Sequence, residues 1–335
     1  GMREAQLVID IGSRFTTVCS RGAGVIIREP SVVAISNRGG KMALLEAGRS
    51  AEKLSNVRQA DFQILYPIKE GAIFHERAAA LMYRYFIAKA VPYKIFRPKI
   101  KVIACVSCGL GNIEKRDVEK VLLKAGADEA VIIESPLAVF KGLGRRDSAF
   151  VIDIGASKSE IAICDKDGII AGCSVDIGGD AINQAIVDYV IDSRRCKIKM
   201  SSAEYVKKQI ASLYENDRSP IVINTEPVHS SEKVSVRLVA GELKPPIAAV
   251  IDKIVEVAYN LTAQIPEAIA SDICTNGITL CGGSAYLPGL AEYIDKKLDL
   301  PVRVPDMPEN AAAVGALGFF SDRDALAGFL NVEKL

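Results

Sequence analysis

Two five-residue stretches of this chain are identical: Val8-Ile9-Asp10-Ile11-Gly12 and Val151-Ile152-Asp153-Ile154-Gly155. In each, a single aspartate interrupts an apolar run, and a glycine follows two residues later. Small or polar residues then lead into a second β-prone run, at 15–19 and at 160–164. Apolar alternation broken by glycine reads as a β-hairpin with an Asp-Ile-Gly corner, and its recurrence is an internal repeat. Such a corner exposes backbone N–H groups that can line a phosphate, while the aspartate can hold a magnesium ion through water. Two of them predict two related domains acting on one nucleotide.

The elements around the corners agree with that chemistry. After the first corner, 25–27 and 30–35 read as further strands of one meander closing near 37–40. Residues 76–90 carry apolar side chains at helical spacing and stop at Val91-Pro92. A buried strand at 101–105, a helix at 113–124 capped by Asn112 and a strand at 130–133 predict a parallel crossover onto the sheet begun by the first hairpin. Polar residues 142–148 read as a linker. The second half repeats the order with a hairpin at 150–164, a strand at 169–175, the turn Gly178-Gly179-Asp180 and a helix at 181–190. A polar insertion follows at 201–245, then a buried helix at 247–265 and a strand at 277–281 running into Gly282-Gly283-Ser284.

Composition narrows the classes. A chain of 335 residues, 49% of them hydrophobic, is long enough for two cores. Lys plus Arg (42) balances Asp plus Glu (41), so no overall field draws the protein to nucleic acid. Eight scattered cysteines fit a reducing cytoplasm better than a disulfide framework. No run reaches the roughly 20 apolar residues of a membrane span, and no signal peptide is read at the start. Gly1 ahead of Met2 reads as a residue outside the natural chain. With two histidines in the chain, a Ser/His/Asp hydrolase is not expected. Cys105 and Cys108 have the spacing of a metal or redox pair but lack a second pair, and they read as small residues at a strand end. His75 reads as a polar residue at a helix start.

Further stretches, taken with the corners, carry a family likeness. They are residues 24–35 (Gly-Val-Ile-Ile-Arg-Glu-Pro-Ser-Val-Val-Ala-Ile), 66–71 (Tyr-Pro-Ile-Lys-Glu-Gly), 175–180 (Val-Asp-Ile-Gly-Gly-Asp), 270–273 (Ala-Ser-Asp-Ile) and 280–285 (Leu-Cys-Gly-Gly-Ser-Ala). In this order and spacing they resemble the MreB-like bacterial actins of the actin, heat-shock chaperone and sugar kinase superfamily. The resemblance implies an α/β, actin-like ATPase fold: two duplicated domains, each with a five-stranded mixed sheet flanked by helices, and a nucleotide cleft between them. It divides the chain into subdomain IA (2–32, 66–146 and 316–335), IB (33–65), IIA (147–181 and 246–315) and IIB (182–245). ATP and Mg2+ are the implied cofactors. Asp10, Gly12, Ser13, Thr16, Asp153, Gly155, Ala156, Ser157 and Lys158 would bind phosphate and metal, with Mg2+ held through Asp10 and Asp153. Gly178, Gly179, Asp180, Lys207, Gln209, Gly282, Gly283 and Ser284 would surround base and ribose.

Four departures from the family pattern bear on mechanism. The family has Glu-Glu-Pro, its second glutamate polarising the attacking water, where this chain has Glu134-Ser135-Pro136. A neutral hydroxyl cannot accept that proton as a carboxylate does, and loss of a positioned base costs about 100- to 10,000-fold. Glu134 stands one residue too early. In the second phosphate loop Lys158 takes the place of a water-holding threonine, which suits pairing with a terminal phosphate rather than activating water. In the first, Phe15 brings a bulky ring close to the phosphates. Gln209 replaces the ribose-binding glutamate and keeps the ability to donate and accept.

The resemblance also implies partners: self-association into filaments, the inner membrane surface and the wall-synthesis machinery, with a cytoplasmic, peripheral location. The segment Tyr93-Lys94-Ile95-Phe96-Arg97-Pro98-Lys99 matches the family's membrane loop, the alternative being that Ile95 and Phe96 cap the helix beneath. Two functions follow. One is a membrane-associated, shape-determining filament former with weak or absent hydrolysis. The other is a non-polymerising pseudo-ATPase that adapts or caps an active paralogue. A chaperone or sugar kinase of this fold is expected least, because no substrate domain follows the closing helix near 311–318 and no substrate-directed base is found.

Overall fold

The computed structural model describes residues 3–36, 38–57 and 61–326. The described residues form two compact units, one within residues 3–145 with 310–326 and one of residues 146–309.

In the first unit the repeated run becomes β1 (Glu4–Ile11), and the corner returns it antiparallel as β2 (Phe15–Ser20), then β3 (Gly24–Pro30). The meander expected to continue to residue 40 ends here. β4 (Val33–Ser36) leaves for a separate small sheet between β5 (Ala43–Ala47) and β6 (Phe62–Leu65), with α1 (Arg49–Leu54) beside it. All four β4 residues are buried, so the strand has two covered faces. The sequence pattern of a long apolar run cannot say which sheet does the covering.

A short hairpin, β7 (Ile68–Lys69) and β8 (Ala72–Ile73), leads into α2 (Glu76–Ala90). His75 caps that helix, its Nδ1 accepting the Ala78 N–H at 3.2 Å. β9 (Lys99–Val106), α3 (Asn112–Lys124) and β10 (Glu129–Glu134) make the expected parallel crossover. Gly111 rather than Asn112 occupies the cap of α3, and no side chain caps it. α4 (Ser135–Gly142) follows directly, with Pro136 in its first turn, where no N–H is needed. The main sheet has the order β10-β9-β1-β2-β3.

The second unit rebuilds this plan from the second repeat. β11 (Ala149–Ile154), β12 (Ser159–Asp165) and β13 (Gly168–Val175) form the meander. α5 (Gly179–Arg194), β14 (Cys196–Lys197), α6 (Met200–Ile210), β15 (Pro220–Pro227) and β16 (Val234–Val239) follow, the last strands pairing in a three-stranded sheet. α7 (Ala240–Thr262) starts seven residues before the helix expected at 247 and carries Pro245 and Pro246 inside it. Each proline forfeits a helical hydrogen bond. Burial of Ala240, Leu243 and Ile247 holds the turn nonetheless, helped by Glu242, whose carboxylate accepts from the Val239 N–H, Tyr189 and Arg194. α8 (Glu267–Asn276), not foreseen as a helix, α9 (Leu290–Leu298) and the parallel strands β17 (Ile278–Cys281) and β18 (Val302–Arg303) complete the order β13-β12-β11-β17-β18. Both sheets therefore consist of a three-strand meander followed by two parallel strands.

The chain returns to the first unit with α10 (Ala311–Ala316). The resemblance assigns residues up to 315 to the second base domain, yet α10 packs on α4 because its small residues admit close backbone approach. A Cβ on Gly315 would lie 2.1 Å from the Ala138 carbonyl oxygen, and one on Gly142 2.8 Å from the Gly315 Cα.

Candidate functional site: two pinned corners

Asp10 stands at the C-terminal end of β1, paired with Thr17 on β2 and Cys105 on β9. The corner after it is tight: a Cβ on Gly12 would meet the Phe15 carbonyl oxygen at 2.2 Å. Its carbonyls are held from one side by a single residue. Ser31 Oγ donates to Gly12 O at 2.7 Å, and the Ser31 N–H donates to Arg14 O at 2.9 Å. The Ser13 amide donates to no backbone carbonyl among the described residues. Ser13 Oγ accepts the Gly71 N–H at 3.1 Å, which leaves its own proton available to an anion. That donor sits on the β7–β8 turn, where Glu70 (φ 53°) and Gly71 (φ 79°) are left-handed. Thr16 is buried beneath the corner. The Phe15 ring, expected near the phosphates, lies under the Arg28 guanidinium at 4.6 Å, on the strand face opposite Thr16.

The second corner is pinned by different means to the same effect. The Gly179 and Asp180 amides at the start of α5 donate to Gly155 O (2.9 Å) and Ala156 O (2.7 Å). Gly178, whose Cβ would lie 2.4 Å from Gly155 O, makes that approach possible. The Ala156 and Ser157 amides donate to no backbone carbonyl among the described residues. Asp153 stands next to the last residue of β11, against the β17 turn: a Cβ on Gly282 (φ 88°) would be 2.5 Å from Asp153 Oδ1 and 2.3 Å from Ile154 O. Burial pushes the Asp153 carboxyl up to about 6, opposed by a hydrogen bond with Cys281. Lys207 Nζ donates to Gly179 O at 3.2 Å, and Ser284 Oγ reaches the same glycine. Thus Gly178, Gly179, Asp180, Lys207, Gly282 and Ser284 do gather around the second corner. The space around Gly283 is open. Gln209 does not join them. It is exposed and lies about 200° around α6 from Lys207.

The departures now have partners. Ser135 is buried and donates to Val106 O at 3.0 Å, so its hydroxyl is a strand-to-helix tie. Glu134 pairs with Lys115 of α3 at 3.1 Å. Lys158 faces the exposed Asp176 at 3.8 Å. Cys105 is buried with its thiol 3.8 Å from Ala312 O, and among the described residues none of the eight cysteines forms a disulfide. Ser31, Gly71, Asp176 and Cys281 lie in the stretches that carry the family likeness, but the sequence assigned none of them a role at the corners. Only the Glu70-Gly71 pair between two short apolar runs offered a turn signal.

The loop 91–98 leaves its two large apolar side chains uncovered. Ile95 is 81% and Phe96 88% exposed, so neither caps a helix. Its base is tied down: Arg97 bonds Asp128 at 2.8 Å and the Gly126 carbonyl, and Asp128 accepts the Ile100 N–H, which with Arg97 holds that carboxyl below its usual range.

A family model described as MreB/Mbl protein matches residues 4–327. The cell shape-determining protein MreB of Escherichia coli (strain K12) is 29% identical over 322 residues, 94% of this chain and 93% of that protein. Two solved structures share the fold. The crystal structure of MreB5 of Spiroplasma citri bound to ADP has a TM-score of 0.84 at 23% identity, covering 98% of each chain. The MamK double helical filament has a TM-score of 0.78 at 18% identity, covering 95% of this chain and 99% of that one.

Proposed function

This chain belongs to the MreB/Mbl protein family, and from that premise we propose that it is an actin-like cell-shape determinant that binds ATP with Mg2+ and assembles into filaments. Its hydrolysis is weak or absent. The observation that carries this reading is the duplicated corner. In each copy the carbonyls are tied back, by Ser31 in one and by the Gly179 and Asp180 amides in the other, while an aspartate stands at the strand end. Backbone amides left on the outer side of such a turn suit a phosphate oxygen.

The residues fit magnesium in the same way. Among the described residues no group of three or more His, Cys, Asp or Glu could hold a metal by itself. At either corner the aspartate, Asp10 or Asp153, would reach magnesium through water, with nucleotide phosphates supplying other ligands. When bound, the ion neutralises phosphate charge. The small sheets within 33–65 and 182–245 are proposed as subdomains IB and IIB.

Calorimetry with MgATP, followed by electron microscopy of the same sample, tests the reading. Uptake with filaments is expected. Uptake by a persistent monomer would instead favour the adaptor, and no uptake with magnesium present would refute nucleotide binding.

We further propose that the protein lies peripherally on the inner membrane face, where it serves wall synthesis. Among the described residues no helix is long and apolar enough to cross a membrane. The exposed Ile95 and Phe96, beside Lys94, suit insertion at an anionic surface. Burying each apolar side chain contributes about 1.5–3 kcal/mol. Ile95→Ala/Phe96→Ala should therefore cut sedimentation with anionic liposomes at least about tenfold, and equal sedimentation would refute the loop's role.

A further inference from the structure

We infer that Arg97 is a positioning residue of the 91–98 loop and not one of its lipid-contacting cations: locked onto Asp128 and the Gly126 carbonyl, it holds Ile95 and Phe96 outward for an anionic bilayer surface. Its consequence for lipid binding rests on the membrane reading above; the lock itself does not.

Little else restrains this loop. Val91 is buried at the end of α2 and Pro98 is buried ahead of β9, while all six residues from 92 to 97 are exposed. Among the described residues none of their amides donates to a backbone carbonyl. A stretch of that kind samples many conformations, and two large apolar side chains on it gain by folding back onto apolar surface. Ile95 and Phe96 nevertheless stay in solvent.

Arg97 supplies the constraint. Its Nη1 donates to Asp128 Oδ2 at 2.8 Å and to Pro98 O at 3.4 Å, and its Nη2 donates to Gly126 O. Asp128 is in turn fixed by β9: its Oδ2 accepts the Ile100 N–H at 2.7 Å, and its own N–H donates to Ile100 O at 2.8 Å. Gly126 is left-handed (φ 114°), a conformation glycine takes without strain. A planar fork that grips two acceptors fixes direction as well as distance, which the single ammonium of a lysine does not. These donors face the protein, and the exposed Lys94, next to Ile95, takes the lipid phosphates.

Asp128→Ala separates the two roles by sign, read as sedimentation with liposomes of equal parts phosphatidylglycerol and phosphatidylcholine. The change raises the net charge by one, so a lipid-contacting Arg97, set free, would bind more tightly. A lock predicts about three- to fivefold weaker binding, because the loop must then be ordered on insertion. Glu129→Gln is the control. It makes the same charge change next door, where Glu129 meets Lys99 at 3.8 Å and Lys101 at 3.6 Å, and should bind no more weakly than the unaltered protein. Arg97→Lys keeps the charge without the fork and should lose binding as Asp128→Ala does, which decides the matter if Asp128→Ala does not fold. Without lipid, trypsin should cut after Lys94 faster in Asp128→Ala and Arg97→Lys than in Glu129→Gln. Undiminished binding by Asp128→Ala or Arg97→Lys, equal loss in Glu129→Gln, or unchanged cleavage would each overturn the inference. If the unaltered protein does not sediment with these liposomes, the membrane reading fails, and the cleavage rates still decide whether Arg97 locks the loop.

Discussion

Ser135→Glu/Lys158→Thr should raise steady-state phosphate release by about 100- to 10,000-fold over the unaltered chain, the range a positioned base supplies. In the native chain the Ser135 hydroxyl is buried and committed to Val106 O, and Glu134 is drawn to Lys115. Neither is a carboxylate in the place the family uses. Lys158 adds a cation, partly balanced by Asp176, where the family has a water-holding hydroxyl. The double change replaces both groups. Losing the Ser135 tie costs about 1 kcal/mol, and a carboxylate in the first turn of α4 recovers part of that through the helix dipole. The measurement is phosphate release with MgATP on protein shown to bind it. Fast release by the unaltered chain, abolished by Glu134→Gln, would establish Glu134 as the base and sink the weak-hydrolysis reading.

Gly282→Ala should lower the melting temperature of the second unit by about 5–15 °C and weaken nucleotide uptake in the same sample. A left-handed alanine costs about 1–2 kcal/mol, and overpacking about 1–3 kcal/mol more. For a unit of this size each kcal/mol shifts the midpoint by about 2–4 °C. The added Cβ would fall 2.3 Å from Ile154 O and 2.5 Å from Asp153 Oδ1, so relief must move the strand end or the carboxylate. Gly283→Ala is the control for stability, because nothing lies within 4 Å of that position. Calorimetric melting and nucleotide titration of the two variants decide the matter. If Gly282→Ala behaves like Gly283→Ala, the turn does not seat Asp153.

The two corners were legible because their determinants are local. An alternating apolar run, an aspartate and a glycine at fixed spacing specify a hairpin without help from elsewhere, and both hairpins form. The helix at 76–90 was legible for the same reason, since its periodicity and its stop at Val91-Pro92 lie within the segment. α7 was misjudged at its start because Pro245 and Pro246 are local signals against a helix, outweighed by the core under Leu243 and Ile247. β4 was misjudged because four buried residues in a row do not say which neighbours bury them.

For this protein the sequence by itself determined the repeated strand-corner-strand units, the crossover order, the family likeness and the serine at position 135, all carried by neighbouring residues or by residue identity. Only the tertiary structure decided what holds each corner. Ser31 ties the first, Gly179 and Asp180 tie the second, Gly71 reaches Ser13, and Asp176 faces Lys158. These partners stand some 17 to 58 residues along the chain from what they hold. Hydrogen bonds of that reach form only once two sheets have folded, and no local pattern encodes them.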